Sequence, residues 1–268
     1  MTTTGYWVEL FRSEQRLGGG FFLTRRFVVT ALHCLGGLTS SDERVDVVLT
    51  DGSRLAGQIC RRDVDADLAL IMIASDYEVR LAIPRAGIAQ RGDDWHSPYR
   101  PEATEAALGG KVDDGTADYS CEGGAVIEAL QLTVDQHTGD YSGYSGGPVV
   151  TGVPEKRDPV VVGILLEQVP HRKDTGRAAN VLFAATIGEA LRRFDQFHVE
   201  HLIDVLHPEG AEKSEELTET AAVAEAESWF ERIREWTQRG YLDPSQVAEL
   251  NFTIAKTVLE RQLRGEGK

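Results

Sequence analysis

The chain has 268 residues, 41% of them hydrophobic and 26% charged, enough to bury a core for one large domain and one small one. Its formal net charge of -15 and pI near 4.9 speak against nucleic acid and acidic membrane surfaces as partners, because phosphate binding needs a concentrated basic surface. No run of about 18 apolar residues is present to span a bilayer.

The start of the chain carries no basic segment, long apolar stretch or small-residue cleavage site, so no secretory leader is expected and the product is read as cytoplasmic. The cysteines, Cys34, Cys60 and Cys121, are odd in number, which predicts reduced thiols rather than a disulfide framework. Cys and His residues nowhere show metal-ligand spacing, and neither metal nor cofactor is expected.

From residue 5 to about 187, short β-branched and aromatic runs alternate with Gly, Asp and Pro. Strands are predicted near 6–11, 21–24, 27–30, 45–49, 68–73, 126–134, 160–166 and 181–185, a mainly β pattern of sandwich or barrel type. Between 74 and 124 the signal weakens, and the polar stretches 90–94 and 109–118 read as a linker or surface loops. Ile187, Ala190, Leu191, Phe194 and Phe197 then recur at helical spacing, loosely as far as Leu206, closing a domain of residues 1–206.

Residues 207–220 are polar and charged and read as a linker. Residues 221–268 predict a helical hairpin. Val223, Ala226, Phe230, Ile233 and Trp236 fall on one face of its first helix, and Gly240 stands where a C-cap would end it. Asp243 and Pro244 open the second helix as N-cap and first helical residue, followed by Val247, Leu250, Ile254 and Val258. Trp229 and Trp236, seven apart, read as a packing seam. With 8 Lys/Arg against 13 Asp/Glu, the segment 207–268 has a net charge of -5 and is no basic arm.

Three segments carry residue types suited to acyl transfer: Val28-Val29-Thr30-Ala31-Leu32-His33-Cys34, Asp67-Leu68-Ala69-Leu70-Ile71, and Gly143-Tyr144-Ser145-Gly146-Gly147-Pro148. A serine hydroxyl attacks an amide at neutral pH only when a base takes its proton, and histidine is the usual base. An aspartate then orients the imidazole. In this order the segments resemble the chymotrypsin/trypsin-like serine proteases, particularly the bacterial HtrA-like branch. The resemblance implies a mainly β fold of two six-stranded antiparallel barrels with a C-terminal helix. It implies a triad of His33, Asp67 and Ser145, and an oxyanion hole made by the N–H groups of Gly143 and Ser145. Asp63 and Asp65 are rivals for the third place, but only Asp67 directly precedes the apolar strand.

The same resemblance places substrate binding at Gly139, Asp140, Tyr141 and Ser142, with Leu165, Leu166 and Glu167 on the facing wall. Trypsins carry their pocket aspartate at the position of Gly139. Asp140, one residue later, leaves a basic preference open beside a small or aliphatic one. Two departures bear on regulation. Secreted relatives bridge the cysteine after the histidine to one sixteen residues upstream, which here is Gly18, and zymogen-activated relatives carry an aspartate where this chain has Tyr144. Control is therefore expected from ordering of the loop 139–144 or from the helical tail.

Three functions follow: an active endopeptidase on a protein substrate, a catalytically silent relative serving as a binding scaffold, or an esterase. The tail is too short and too helical for a PDZ domain and is expected to dock a protein partner. The combination resembles the effector proteases of bacterial defence systems. His96, His137, His171, His198, His201 and His207 have no partners at catalytic spacing and read as surface or loop residues.

Overall fold

Alternating apolar residues put one face of each short strand into a barrel interior, as Val8 and Leu10 do in β1 (Trp7–Arg12) and Val45 and Val47 in β4 (Arg44–Leu49). In the computed structural model, residues 5–36, 44–74, 83–121, 123–152, 160–194 and 219–265 are described. With β2 (Gln15–Phe22), β3 (Phe27–Ala31), β5 (Arg54–Asp63) and β6 (Leu68–Ile73), these strands close in the order β1-β2-β3-β6-β5-β4. Phe22, Val28, Leu55 and Ile71 complete the buried filling.

The second barrel uses β8 (Asp94–His96), β9 (Gly109–Ser120), β10 (Val126–Val134), β11 (Pro148–Thr151), β12 (Val160–His171) and β13 (Asp174–Thr186). They run β11-β8-β9-β10-β13-β12, and the pairing of β11 with β12 closes the ring. The two-residue β7 (Arg85–Ala86) adds to β12 in parallel. Two closed six-stranded antiparallel barrels result, as the resemblance implied.

One stretch corrects the sequence reading. Residues 109–118, taken for a loop, form most of β9, which pairs with both β8 and β10. Much of this strand faces solvent, so it lacks the apolar alternation that marks a strand. Its glycines also mislead: a Cβ at Gly110 would collide with the Thr133 carbonyl of β10, so glycine here permits close pairing rather than a turn.

The first barrel-closing helix, α1 (Ile187–Arg193), is N-capped by the Thr186 hydroxyl, which accepts the Glu189 N–H at 3.0 Å. Phe194 is its C-cap; the continuation through Phe197 to Leu206 and the linker residues 207–218 lie outside the described residues. The tail forms α2 (Glu219–Gln238) and α3 (Pro244–Gly265). Gly240, at φ 70°, ends α2 in a Schellman turn: its N–H donates to Thr237 O (3.0 Å) and the Tyr241 N–H to Trp236 O (2.9 Å). Asp243 and Gln246 cap α3 reciprocally, with Asp243 Oδ1 accepting the Ser245 and Gln246 N–H groups and Gln246 Oε1 accepting the Asp243 N–H at 2.9 Å.

The hairpin buries Ile233, Trp236, Leu250 and Ile254 in a core continuous with Ile187, Ala190 and Leu191 of α1. Phe230, expected on the buried face, is 37% exposed, while Trp229 packs toward the core in its place. Residues 229, 233 and 236 are the ones a 3.6-residue period aligns with the docked side. Val223, Ala226 and Val258 have side chains outside the described residues.

Candidate active site

His33 sits on a short 3₁₀ turn, Leu32–Leu35, that follows β3 directly, so the barrel wall fixes where its side chain starts. Asp67 stands just before β6, the strand paired with β3. Its φ of 55° is unusual for a residue other than glycine, though aspartate tolerates it better than most. This backbone lets one carboxylate serve the histidine twice. The His33 N–H donates to Asp67 Oδ1 at 2.8 Å, and the ring Nδ1–H donates to Oδ2 at 2.6 Å. The Leu32 N–H also donates to Asp67 O at 2.9 Å, so backbone as well as side chain locks the two segments. Asp67 is 7% exposed. Its carboxylate is the largest cause, ahead of the neighbouring Cys34 thiol, that pushes the His33 pKa up.

Ser145 lies across the cleft, between the barrels, in a loop built by glycines. Gly143 has φ 87° and Gly146 φ 79°, conformations that L side chains rarely adopt. A Cβ on Gly146 would strike Gly19 O and approach Thr30 Oγ1 to 2.6 Å, so the loop lies directly on β2 of the first barrel. Among the described residues, neither the Gly143 nor the Ser145 N–H donates to a protein acceptor, leaving both for an incoming oxygen. The Ser145 hydroxyl donates to Leu166 O at 2.9 Å. His33 and Ser145 line the same cavity, while the serine proton is held by the carbonyl rather than the imidazole.

The loop before the serine is anchored internally. Asp140 Oδ1 accepts the Ser142 N–H (2.9 Å) and hydroxyl (2.6 Å), which hold its pKa below the usual carboxylate value. The Tyr141 N–H donates to Gln168 Oε1 at 2.7 Å and its hydroxyl to Gln136 O at 2.5 Å. Tyr144, in the place of the activation aspartate, is buried and donates its hydroxyl to Ala106 O at 2.6 Å. Cys34, Cys60 and Cys121 are free thiols. Cys34 Sγ lies 2.7 Å from where a Cβ on Gly18 would be, so the thiol fills the space of the missing bridge, and it donates to Ser145 O at 3.4 Å.

The cavity has a volume of about 830 Å³. Of the expected binding residues, Tyr141, Ser142, Leu165, Leu166 and Glu167 line it, together with Gly143. Gly139 and Asp140 do not: Gly139 is buried and Asp140 turns back onto its own loop, so the basic preference once placed there has no carboxylate in the cavity from Asp140. Tyr119 and Ser120 of β9 join the lining and were missed because β9 itself was. The Tyr119 ring stacks on Phe183 at 3.9 Å, and its hydroxyl donates to Glu167 Oε2. His137 contacts the Asn180 amide and burial lowers the His96 pKa, both away from this cavity; His198, His201 and His207 lie outside the described residues. Among the described residues, no three His, Cys, Asp or Glu side chains gather as a metal site.

Two six-stranded barrels meeting at a cleft, with a His–Asp pair from one and a serine loop from the other, constitute the chymotrypsin fold. The sequence profile of the trypsin-like peptidase domain matches residues 18–164, and the chain belongs to that family. No curated protein sequence matches it. Among solved structures it is similar to the HtrA-type protease AlgW with a decapeptide, at 16% identity and TM-score 0.54 over 76% of this chain. It spans 65% of the AlgW chain's length. The Rv3671c protease of M. tuberculosis H37Rv, in an inactive form, matches at 20% identity and TM-score 0.50 over 70% of this chain and 86% of its own. At these identities the likeness is one of fold.

Proposed function

We propose that the chain is a serine endopeptidase using His33, Asp67 and Ser145. The observation that carries this is the double engagement of His33 by Asp67 in a cavity that Ser145 also lines. Asp67 holds the Nδ1–H tautomer, which leaves Nε2 as the basic nitrogen. Rotation of Ser145 Oγ from Leu166 O to Nε2 passes its proton to the ring as Oγ bonds to the scissile carbonyl carbon. The resulting oxyanion meets the Gly143 and Ser145 N–H groups. Collapse breaks the C–N bond, and the imidazolium gives its proton to the departing amine. Water then hydrolyses the acyl-serine by the same exchange.

Past Leu165, whose N–H and carbonyl are taken by Gly147 O and the Gly146 N–H, one edge of β12 is not covered by β11, and this is the edge beside Ser145. A substrate segment in extended form pairs there as an added strand, which favours peptides over small esters. Free Cys34 in the place of a bridge supports a reducing, cytoplasmic setting. The hairpin supports control by a protein partner, for which Phe252, 70% exposed on α3, offers apolar contact. An effector protease of bacterial defence or signalling fits that arrangement.

Labelling with a fluorophosphonate tests the reading. The full chain should be modified at Ser145, and Ser145→Ala should abolish modification. A chain unlabelled both alone and with a candidate partner would instead be a silent scaffold, the reading that the Ser145–Leu166 bond favours.

A further inference from the structure

The turn that presents Asp67 is gripped from two directions. On one side Cys121 and Ala125 of the second barrel clamp it: the Ala125 N–H and the Cys121 thiol both donate to Asp65 O, at 3.0 and 2.8 Å. On the other side, Asp63 at the end of β5 divides its carboxylate. Oδ1 accepts the Ala66 N–H at 2.9 Å, closing the turn, and Oδ2 accepts from Arg193 Nη1 at 2.9 Å.

Arg193 is the last residue of α1, and its Nε donates to Glu189, a carboxylate 5% exposed. Glu189 also binds Arg192 and accepts the Glu128 N–H at 3.3 Å. Glu128 Oε1 in turn accepts the Thr186 hydroxyl at 3.0 Å and the hydroxyl of Tyr241, the residue that ends the α2 Schellman turn. The Tyr241 ring covers Gly188, where a Cβ would collide with it, and Arg192 lies 5.2 Å above the ring centre.

A left-handed backbone at a residue other than glycine persists only when its surroundings over-determine it. Asp67 is such a residue, and both its oxygens act on His33, so a rotation of the turn passes straight to the imidazole. Resting on the protease reading above, we propose that Arg193 is a positioning residue for this centre. By pinning Asp63 it fixes the turn that holds Asp67 to His33, and the hairpin secures Arg193's partners through Tyr241. The hairpin then stands in series with the triad: a partner that lifts Tyr241 from α1 slows the enzyme, and one that seats it restores the rate.

The test uses the full chain carrying Arg193→Ala, Arg193→Lys, Asp63→Asn, Tyr241→Phe, or Arg193→Ala with Asp63→Asn. The readouts are Tm, kcat and KM on a peptide substrate, and the His33 titration by NMR. Arg193→Ala and Asp63→Asn should each lower kcat by about 10- to 100-fold, the scale on which a small misplacement acts. KM should stay within about twofold, because the cavity walls belong to other segments. The His33 pKa should fall toward its ordinary value, and the double variant should be no worse than either single one. Lysine, which reaches Asp63 without also binding Glu189, should recover part of the rate, and Tyr241→Phe should lose about 3- to 10-fold in the same direction. Unchanged kcat, additive losses, or a loss that follows Tm with the His33 titration unmoved would overturn the proposal. Should Arg193→Ala fail to fold, the shape-preserving Asp63→Asn and Tyr241→Phe decide it. If the unmodified chain is not labelled at Ser145, the protease reading fails separately, and the His33 titration still reports whether Arg193 positions Asp67.

Discussion

Replacing Asp67 by asparagine changes one atom of the buried pair and reverses its chemistry. The new amide oxygen can keep the His33 N–H, now bound at 2.8 Å, but its NH2 then faces Nδ1 at the 2.6 Å contact. Nδ1 must accept, the ring proton moves to Nε2, and Nε2 can no longer take the proton of Ser145. The loss should be about 10⁴ in kcat, a figure carried over from the same substitution in trypsin-like proteases. At about 1.4 kcal/mol per decade it amounts to about 5.5 kcal/mol of transition-state stabilisation. The pH profile gives a second signature. Since the base must be neutral, the rate rises with pH through the His33 pKa, which Asp67 raises; the residual rate of the variant should rise at lower pH. Stability carries the same sign: the pair's contribution is complete below the ordinary histidine value of about 6.5 and is lost as pH climbs toward about 10. The Tm gap between the two proteins should therefore narrow over that range. Steady-state assay of a chromogenic peptide with parallel thermal melts measures both. Asp65→Asn, at an exposed side chain, is the control. An Asp67→Asn enzyme within about tenfold of the parent, or equal damage from Asp65→Asn, refutes the assignment.

Glu167 is the acidic group of the cavity lining, set beside the Tyr119–Phe183 stack. Positional peptide libraries should show a basic preference at one subsite, and Glu167→Gln should reduce it by about tenfold; a flat profile in the parent enzyme speaks against this. An ideal Cβ on Gly18 lies 2.8 Å from that of Cys34, closer than the roughly 3.5–4.5 Å of a disulfide, so Gly18→Cys must open β2 slightly before it bridges. Oxidation should nonetheless close the bond and stabilise the chain by up to about 3 kcal/mol, and four thiols still titrating after oxidant, instead of the two of Cys60 and Cys121, would contradict it. Tyr144→Phe removes the bond to Ala106 O, which should cost about 1–2 kcal/mol in denaturant unfolding and slow labelling of Ser145; an unchanged midpoint argues that the loop is held elsewhere.

What could be read from the sequence was local. Residues 27–30, 68–73 and 126–134 are apolar runs whose own composition dictates a strand, and β3, β6 and β10 stand there. The ends of the hairpin were equally legible, because Gly240, Asp243 and Pro244 act within a few residues of themselves. β5 and β9 escaped because polar side chains dominate their solvent faces, Arg54, Gln58, Arg61 and Arg62 in β5 and Lys111, Asp114, Thr116 and Asp118 in β9. The ion pair of Asp63 with Arg193 joins residues 130 apart, and Tyr241 meets Glu128 over 113, distances at which no pattern in a single chain points to a partner. The misplaced carboxylate follows the same rule. Asp140 has Ser142 two residues away and bonds to it, a local turn that competes with any role in the cavity.

The motif around Ser145 was legible for a reason that only the packing explains. Its glycines and those of residues 18–20 answer each other across the barrels. Gly146 lies against Gly19 O, whose second task is to accept the Thr30 hydroxyl at 2.6 Å, and the Gly19 N–H reaches Ser145 O at 3.4 Å. Tyr99 fills the remaining gap, against the faces of Gly19 and Gly147 where side chains would collide with its ring. Ser145 is thus seated on the barrel that carries His33, by contacts that tolerate no Cβ. With the backbone so held, the Ser145 hydroxyl rests on Leu166 O at 2.9 Å, inside the cavity that His33 also lines.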